Sequence, residues 1–241
     1  MELDPNVFVS EVVSQNFQAA DVFSRHGIDF CCGGHISLEQ AARKSGTDVS
    51  ALIVELIDVM KEPDRESDLF RRLAPDELCR YIVDVHHTYV RTNIMTNSDY
   101  LSRIVMAHGD LHPELETVQR LFQVCAVALT THMQKEEVVL FPFISRLVKA
   151  RHLNEKIPEM SLQHIENPMS VMEAEHDEEG RRFREISRLT QGYSTPSDAC
   201  NTYRVAMQKL QDFEQDLHRH IHLENNILFP AARLLAKEVL T

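Results

Sequence analysis

The sequence has no tryptophan, only seven glycines among 241 residues, and few runs in which apolar and polar residues alternate. Those shortages leave little room for turn-rich β folds and predict an all-α protein of long helices and few turns. Basic residues are in deficit as well, with 25 Lys and Arg against 37 Asp and Glu and a formal charge of −12. Nucleic acid and anionic membrane surfaces both select clustered Lys and Arg, so neither is expected as the main partner. No uninterrupted apolar run approaches the ~18 residues of a spanning helix, and Met1 to Ser10 lacks the basic start and apolar core of a signal peptide. The expected location is cytoplasmic. Five cysteines, an odd number with Cys31 and Cys32 adjacent, do not form a secreted disulfide pattern and suit a reducing compartment. What the chain does have is 43% hydrophobic residues, enough for a sizeable core.

Two regions are expected. Residues 1–62 read as a small helical domain: Asp4-Pro5 or Ser10 can start a helix through Val7, Val12 and Val13. Gly27, Gly33 and Gly34 then break the chain around Cys31-Cys32, and Ser37 to Gln40 has the capping-box pattern. Leu52, Ile53, Leu56, Ile57 and Met60 mark a further helix after Asp48 or Ser50. Residues 63–74 read as a charged linker. Residues 75–241 carry four long helical periods, expected from about Pro75 to Ala107, Pro113 to Lys149, Pro168 to Thr190 and Pro196 to Leu240. The breaks fall at His108-Gly109-Asp110, between Pro158 and Pro168, and at Gly192 to Pro196. Long helices joined by short connections predict an antiparallel four-helix bundle.

One phrase occurs twice in that bundle. His132 to Pro142 and His220 to Pro230 both read H-x-x-x-E-x-x-x-L-F-P, offset by 88 residues throughout. A histidine and a glutamate four residues apart share a helix face, so each copy can aim an imidazole and a carboxylate at one point. The preceding helix of each hairpin supplies another histidine, His86 lying 46 residues before His132 and His176 lying 44 before His220. Helical phase places His86 among Cys79, Ile82, Tyr89 and Val90, facing the core, and His87 among Arg80, Asp84 and Arg91, on the border. It likewise turns His220 and Glu224 inward with Phe213, Leu217 and Leu228, and leaves His218 and His222 among polar residues on the solvated face. The expected centre is His86, His132, Glu136, His176, His220 and Glu224. Four imidazoles and two carboxylates exceed the four ligands of a structural zinc. They suit two bridged metals in a bundle core, iron in the first place and manganese or zinc as alternatives. The Leu-Phe-Pro tails read as packing residues.

His108 and His112 lie some 20 residues from that centre along their helices, about 30 Å at ~1.5 Å per residue, and read as part of an inter-helix turn. The adjacent Cys31 and Cys32 are poorly placed for a disulfide with each other. Soft-metal binding, attack on a disulfide, pairing with a second chain and a purely structural turn all stay open for them. His26 and His35 nearby would favour thiolate. Cys79, Cys125 and Cys200 read as packing residues among apolar neighbours.

Asp29-Phe30-Cys31-Cys32-Gly33-Gly34, followed by Thr131-His132, Lys135-Glu136-Glu137, Glu175-His176-Asp177 and Leu223-Glu224-Asn225, resembles the iron-sulfur cluster repair family of ScdA and YtfE, also called RIC proteins. The resemblance implies a haemerythrin-like bundle with two non-haem irons on the six residues above, and a vicinal cysteine pair at Cys31 and Cys32 with a redox or metal-transfer role. It also implies an access path at Glu175. Damaged iron-sulfur proteins would be the partners, nitric oxide or oxygen the small ligands, and a homodimer the assembly in some members. Three functions follow as alternatives: iron donation in cluster repair under nitrosative or oxidative stress, nitric oxide reduction as an enzyme, or nitric oxide or oxygen sensing without turnover. The cysteine domain favours the first over the third.

Overall fold

A computed structural model describes residues 3–157 and 162–240. Five short helices come first: α1 (Val9–Gln15), α2 (Ala19–Arg25), α3 (Leu38–Ser45), α4 (Val49–Val59) and α5 (Arg65–Phe70). The Ser37–Gln40 capping box forms in both directions at the start of α3. Asp48 caps α4, and the charged tract expected as linker forms α5, with the Asp64 side chain accepting from the Glu66 and Ser67 amides.

The long helices are not uniform. α6 (Pro75–Tyr81) runs through a π segment, Ile82–His87, into α7 (Thr88–His108). α8 (Glu114–Lys135) runs through Glu136–Leu140 into α9 (Phe141–His152), and α11 (Asn201–His222) runs through Leu223–Leu228 into α12 (Phe229–Val239), whereas α10 (Gln163–Leu189) is unbroken. In each π segment a following amide bonds five residues back: Thr88 to Val83, Phe141 to Glu136 and Phe229 to Glu224. Two of the three end at the repeated Leu-Phe-Pro. Pro142 and Pro230 have no N–H to donate, and their rings press on the carbonyls four residues back, at Val138 and Asn226, so a widened turn relieves both problems. Leu140, Phe141, Leu228 and Phe229 are buried, as packing residues should be, and the prolines add a reshaped backbone.

Two helix starts differ from expectation. α10 begins at Gln163, a turn and a half before Pro168, because burying Ile165 and pairing Glu166 with Arg233 at 3.0 Å outweigh the proline's lost bond. α11 begins at Asn201, not near Pro196. The break expected from Pro158 falls partly outside the described residues.

The chain divides into two compact units, Met1–Cys79 with Ile144–Glu166 and Ile221–Thr241, and Arg80–Phe143 with Asn167–His220. The first has a core of Val9, Val12, Phe23, Leu38, Leu52 and Leu56, all fully buried. The second is centred on Phe213, which meets Phe122 edge-on at 5.3 Å and stacks on Phe183 at 5.7 Å, tying α8, α10 and α11 together. Among the described residues no helix is long and apolar enough to cross a membrane.

Candidate metal centre

Six histidine and glutamate side chains, each at most 3% exposed, converge inside the second unit: His86, His87, His132, Glu136, His176 and His220. Ligand atoms of His87, Glu136 and His220 lie within 4.8 Å of one another, and so do those of His132, Glu136 and His176. The two groups share Glu136. Its Oε2 is 3.3 Å from His87 Nε2 and its Oε1 is 3.4 Å from His132 Nε2, so one carboxylate spans both. His176 Nε2 stands 3.1 Å from His132 Nε2, two ring nitrogens turned to the same point.

A carboxylate backs three of these rings. His86 Nδ1 pairs with Asp216 at 2.9 Å, His87 Nδ1 with Glu137 at 2.6 Å and His132 Nδ1 with Glu175 at 2.9 Å. Such a bond fixes the ring, leaves Nε2 facing the centre and strengthens it as a ligand. The bond from His132, then that from Lys135, pulls the Glu175 carboxyl down to about 2 despite partial burial. Burial raises the Glu137 carboxyl, but the bonds from His87 and Arg91 outweigh it and the net shift is downward. His86 stacks on His220 at 5.5 Å with 9° between the planes, and its buried Nε2 has no hydrogen-bond partner. A buried imidazole nitrogen left without a partner costs free energy unless a cation takes it, so the donor set fits a metal.

The expected border position of His87 is corrected by its complete burial. The reason lies in the backbone: His86 and His87 sit at the end of the first π segment, whose wider turn brings two consecutive side chains inward where an α-helix would bring one. His222, expected on the solvated face, is also corrected: it is 2% exposed, covered by tertiary contacts, with Nδ1 3.0 Å from Asn226 Nδ2 and its ring 5.1 Å from Phe17. His218 is half-buried. Glu224 is fully buried and lies four residues after His220, in the first turn of the third π segment.

In the first unit, Asp29 Oδ1 accepts from the amides of Cys31 at 3.2 Å and Cys32 at 2.9 Å and lies 3.5 Å from Cys31 Sγ, while the two sulfurs, 3.7 Å apart, share a thiol hydrogen bond and no disulfide. The bond with Cys32 and then burial push the Cys31 thiol well above its ordinary range, which corrects the expected thiolate. His26 bonds Glu55 and Thr47 instead. Gly34 is needed for close packing, since a Cβ there would lie 2.8 Å from the Phe30 carbonyl and 3.0 Å from Ser10 Cβ. The loop is fastened to the third π segment: Asn225 Nδ2 donates to the Cys31 carbonyl at 3.0 Å and Asn226 Nδ2 to the Phe30 carbonyl at 3.1 Å. Asn225→Leu removes the first bond and should raise the alkylation rate of the buried Cys31 by about tenfold. Mass spectrometry of timed iodoacetamide labelling reads this directly, and an unchanged rate would show that Asn225 does not anchor the loop.

Cys79 and Cys125 are buried as expected, but Cys200 is exposed. It sits 3.2 Å from His108 Nε2, whose bond, first among the causes, lowers its thiol to about 7, and His112 pairs with Asp198. The His108 and His112 turn is thus tied to the start of α11.

Residues 80–232 match the hemerythrin HHE cation binding domain, and residues 6–60 match the ScdA_N domain. The iron-sulfur cluster repair protein ScdA of Staphylococcus haemolyticus is 30% identical over 221 residues, 92% of this chain and 95% of its own. The iron-sulfur cluster repair protein YtfE of Yersinia pseudotuberculosis is 33% identical over 215 residues, 89% of this chain and 91% of its own. The chain belongs to the ScdA/YtfE family. Within the matched bundle domain, the paired clusters around Glu136 are groups of ligand atoms close enough together to hold a metal ion. Sequence phase missed His87, Asp216 and the role of Glu137 in it. The adjacent histidines and the Glu136-Glu137 pair were the available signals.

Proposed function

We propose that this protein holds two iron ions at His86, His87, His132, Glu136, His176, His220 and Glu224 and gives iron to iron-sulfur proteins damaged by nitrosative or oxidative stress. The observation that carries the reading is the sharing of Glu136 by two histidine groups, because a carboxylate between two imidazole sets is the arrangement that holds a pair of metals side by side. Glu224, the matching residue of the 88-residue repeat and fully buried, would be a further carboxylate ligand. Imidazole with carboxylate suits iron; manganese and zinc are the competing occupants, and no soft thiolate competes within the cluster. The printed names of the relatives support the choice of client. Nitric oxide or oxygen are the small ligands of such a centre, and a cytoplasmic homodimer is the proposed form, in keeping with five free thiols.

Iron is the cargo here. When bound, the metals supply redox and Lewis-acid chemistry; the chain's own residues do the rest. Glu137, Glu175 and Asp216 hold ring orientation, and burial of the site keeps bulk water from it. Asp29, Cys31 and Cys32 form a second donor group whose ligand atoms lie within 4.8 Å of one another, suited to receiving a metal in passage once a thiol proton leaves.

The test mixes iron-loaded protein with an apo iron-sulfur protein and follows return of the acceptor's cluster absorption. Wild type should restore it, and a Cys31→Ser/Cys32→Ser variant carrying equal iron should do so at least about tenfold more slowly. No restoration by wild type overturns the donation reading; equal rates overturn the cysteine role.

A further inference from the structure

A second group of reactive side chains lies at the end of the second unit remote from the metal clusters. Cys200 is exposed and stands directly before α11, some 20 residues ahead of His220, or about 30 Å at ~1.5 Å per residue. His108 from the end of α7 and His112 from the turn before α8 meet it there. His108 Nε2 is 3.2 Å from Cys200 Sγ, and His112 Nε2 is 3.1 Å from Asp198. Tyr203, buried on α11, packs edge-on against both imidazoles, with ring centroids 5.4 Å from His108 and 5.8 Å from His112. The His108 ring is thus held against the sulfur by a fixed wall.

That surrounding favours the thiolate. The His108 bond comes first, the amides of Tyr203 and Thr202 in the first turn of α11 add to it, and the opposing effect of burial is outweighed at this exposed side chain. The other charged groups nearby do not undo this. Asp198 gives its carboxylate to His112, which also lies 3.4 Å from Glu114 on α8, and Arg204 is turned to Asn201. The remaining cysteines contrast with Cys200: Cys31, Cys79 and Cys125 are buried, and Cys32 is half-buried and bonded to Cys31. Cys125, the other cysteine of this unit, sits some 11 residues along α8 from Glu114, about 16 Å, beyond the ~7 Å between Cα atoms that a disulfide can span. No thiol of the same unit can therefore resolve a bond formed at Cys200.

We infer that Cys200 and His108 form a thiol-exchange site that takes small-molecule disulfides and stores one half of each as a mixed disulfide. In the reactive pair the Cys200 proton sits on His108 Nε2. The thiolate attacks one sulfur of the disulfide, a new S–S bond forms to Cys200, and the old S–S bond breaks. The departing sulfur leaves as a thiolate and takes the proton from His108. Cys200 is oxidised, the departing sulfur is reduced to a thiol, and no further reactant is needed. The product persists until an external thiol reverses the same step. Neither the metal clusters nor the Cys31-Cys32 loop takes part.

The experiment incubates full-length protein with oxidised glutathione at pH 7 and follows each cysteine by mass spectrometry. Cys200 should form the mixed disulfide at least about tenfold faster than Cys32, the other cysteine that is not buried. His108→Gln should lower the Cys200 rate about fivefold at pH 7, since less thiolate is present. At about pH 9.5 the variant should match or exceed wild type, because both sulfurs are then largely ionised and the thiolate of higher pKa is the stronger nucleophile. A packing defect would move both rates in one direction. Cys200 reacting no faster than Cys32 in wild type, an unchanged His108→Gln rate at pH 7, or an equal loss at both pH values each overturns the site.

Discussion

Glu136→Ala is expected to leave less than one metal ion per chain, against about two proposed for the parent, because it removes the side chain that faces His87 on one oxygen at 3.3 Å and His132 on the other at 3.4 Å. Loss of a ligand to one ion weakens that ion, whereas loss of a ligand shared by two removes the reason for the pair. Elemental analysis together with the optical spectrum of the pair gives the readout, with far-ultraviolet circular dichroism to show that the helices persist. His218→Ala is the matched control and should keep both ions, since His218 is half-buried and outside both clusters. His222→Ala no longer serves that purpose, because His222 is buried against Phe17 and Asn226. Two ions retained by Glu136→Ala would refute the shared-carboxylate centre.

The carboxylates behind the rings should matter nearly as much. Asp216→Asn, Glu137→Gln and Glu175→Gln each keep an acceptor for the ring Nδ1–H but lose the negative charge that makes the imidazole a better base. Each should lower metal affinity about 10–100-fold in chelator competition. Glu137 and Glu175 each also hold a cation, Arg91 and Lys135, so their neutral variants free a positive charge close to the metals, and Asp216→Asn does not. The expected order of damage therefore sets the two glutamates above the aspartate. Equal, unchanged affinities in all three would mean that the rings are held by packing alone.

Much of this was legible before any coordinates. The 88-residue repeat located His132, Glu136, His220 and Glu224, and all four are buried. His86 and His176 followed from the spacing of the hairpins. Phase failed at His87 because a rotation of 100° per residue holds for an α-helix and His87 ends a π segment; it failed at His222 because the polar-looking face of α11 is covered there by Phe17 and Asn226, which no helical phase shows. Pro142 and Pro230 were a readable hint of two of those segments through the carbonyls they press on. Residues 82–87 contain no such hint, and I→V→D→V→H→H reads as an ordinary helix. Cys200 was misplaced because its apolar-looking context ends where α11 begins, and a residue just before a helix faces outward as readily as inward. The partners of Glu175, Glu137 and Asp216 depend on contacts between helices more than 40 residues apart in sequence, which no local window contains.

The fastening of the cysteine loop to the third π segment gives the internal repeat a further meaning. Asn225 stands 88 residues after Glu137, each the residue directly following a repeated glutamate. In the first copy that position reaches across to a histidine ring, and in the second it reaches to the Cys31 carbonyl. The repeated turn thus keeps its glutamate in both copies while the next residue does two different jobs: in one copy it fixes a histidine ring, and in the other it anchors the loop that carries Cys31 and Cys32.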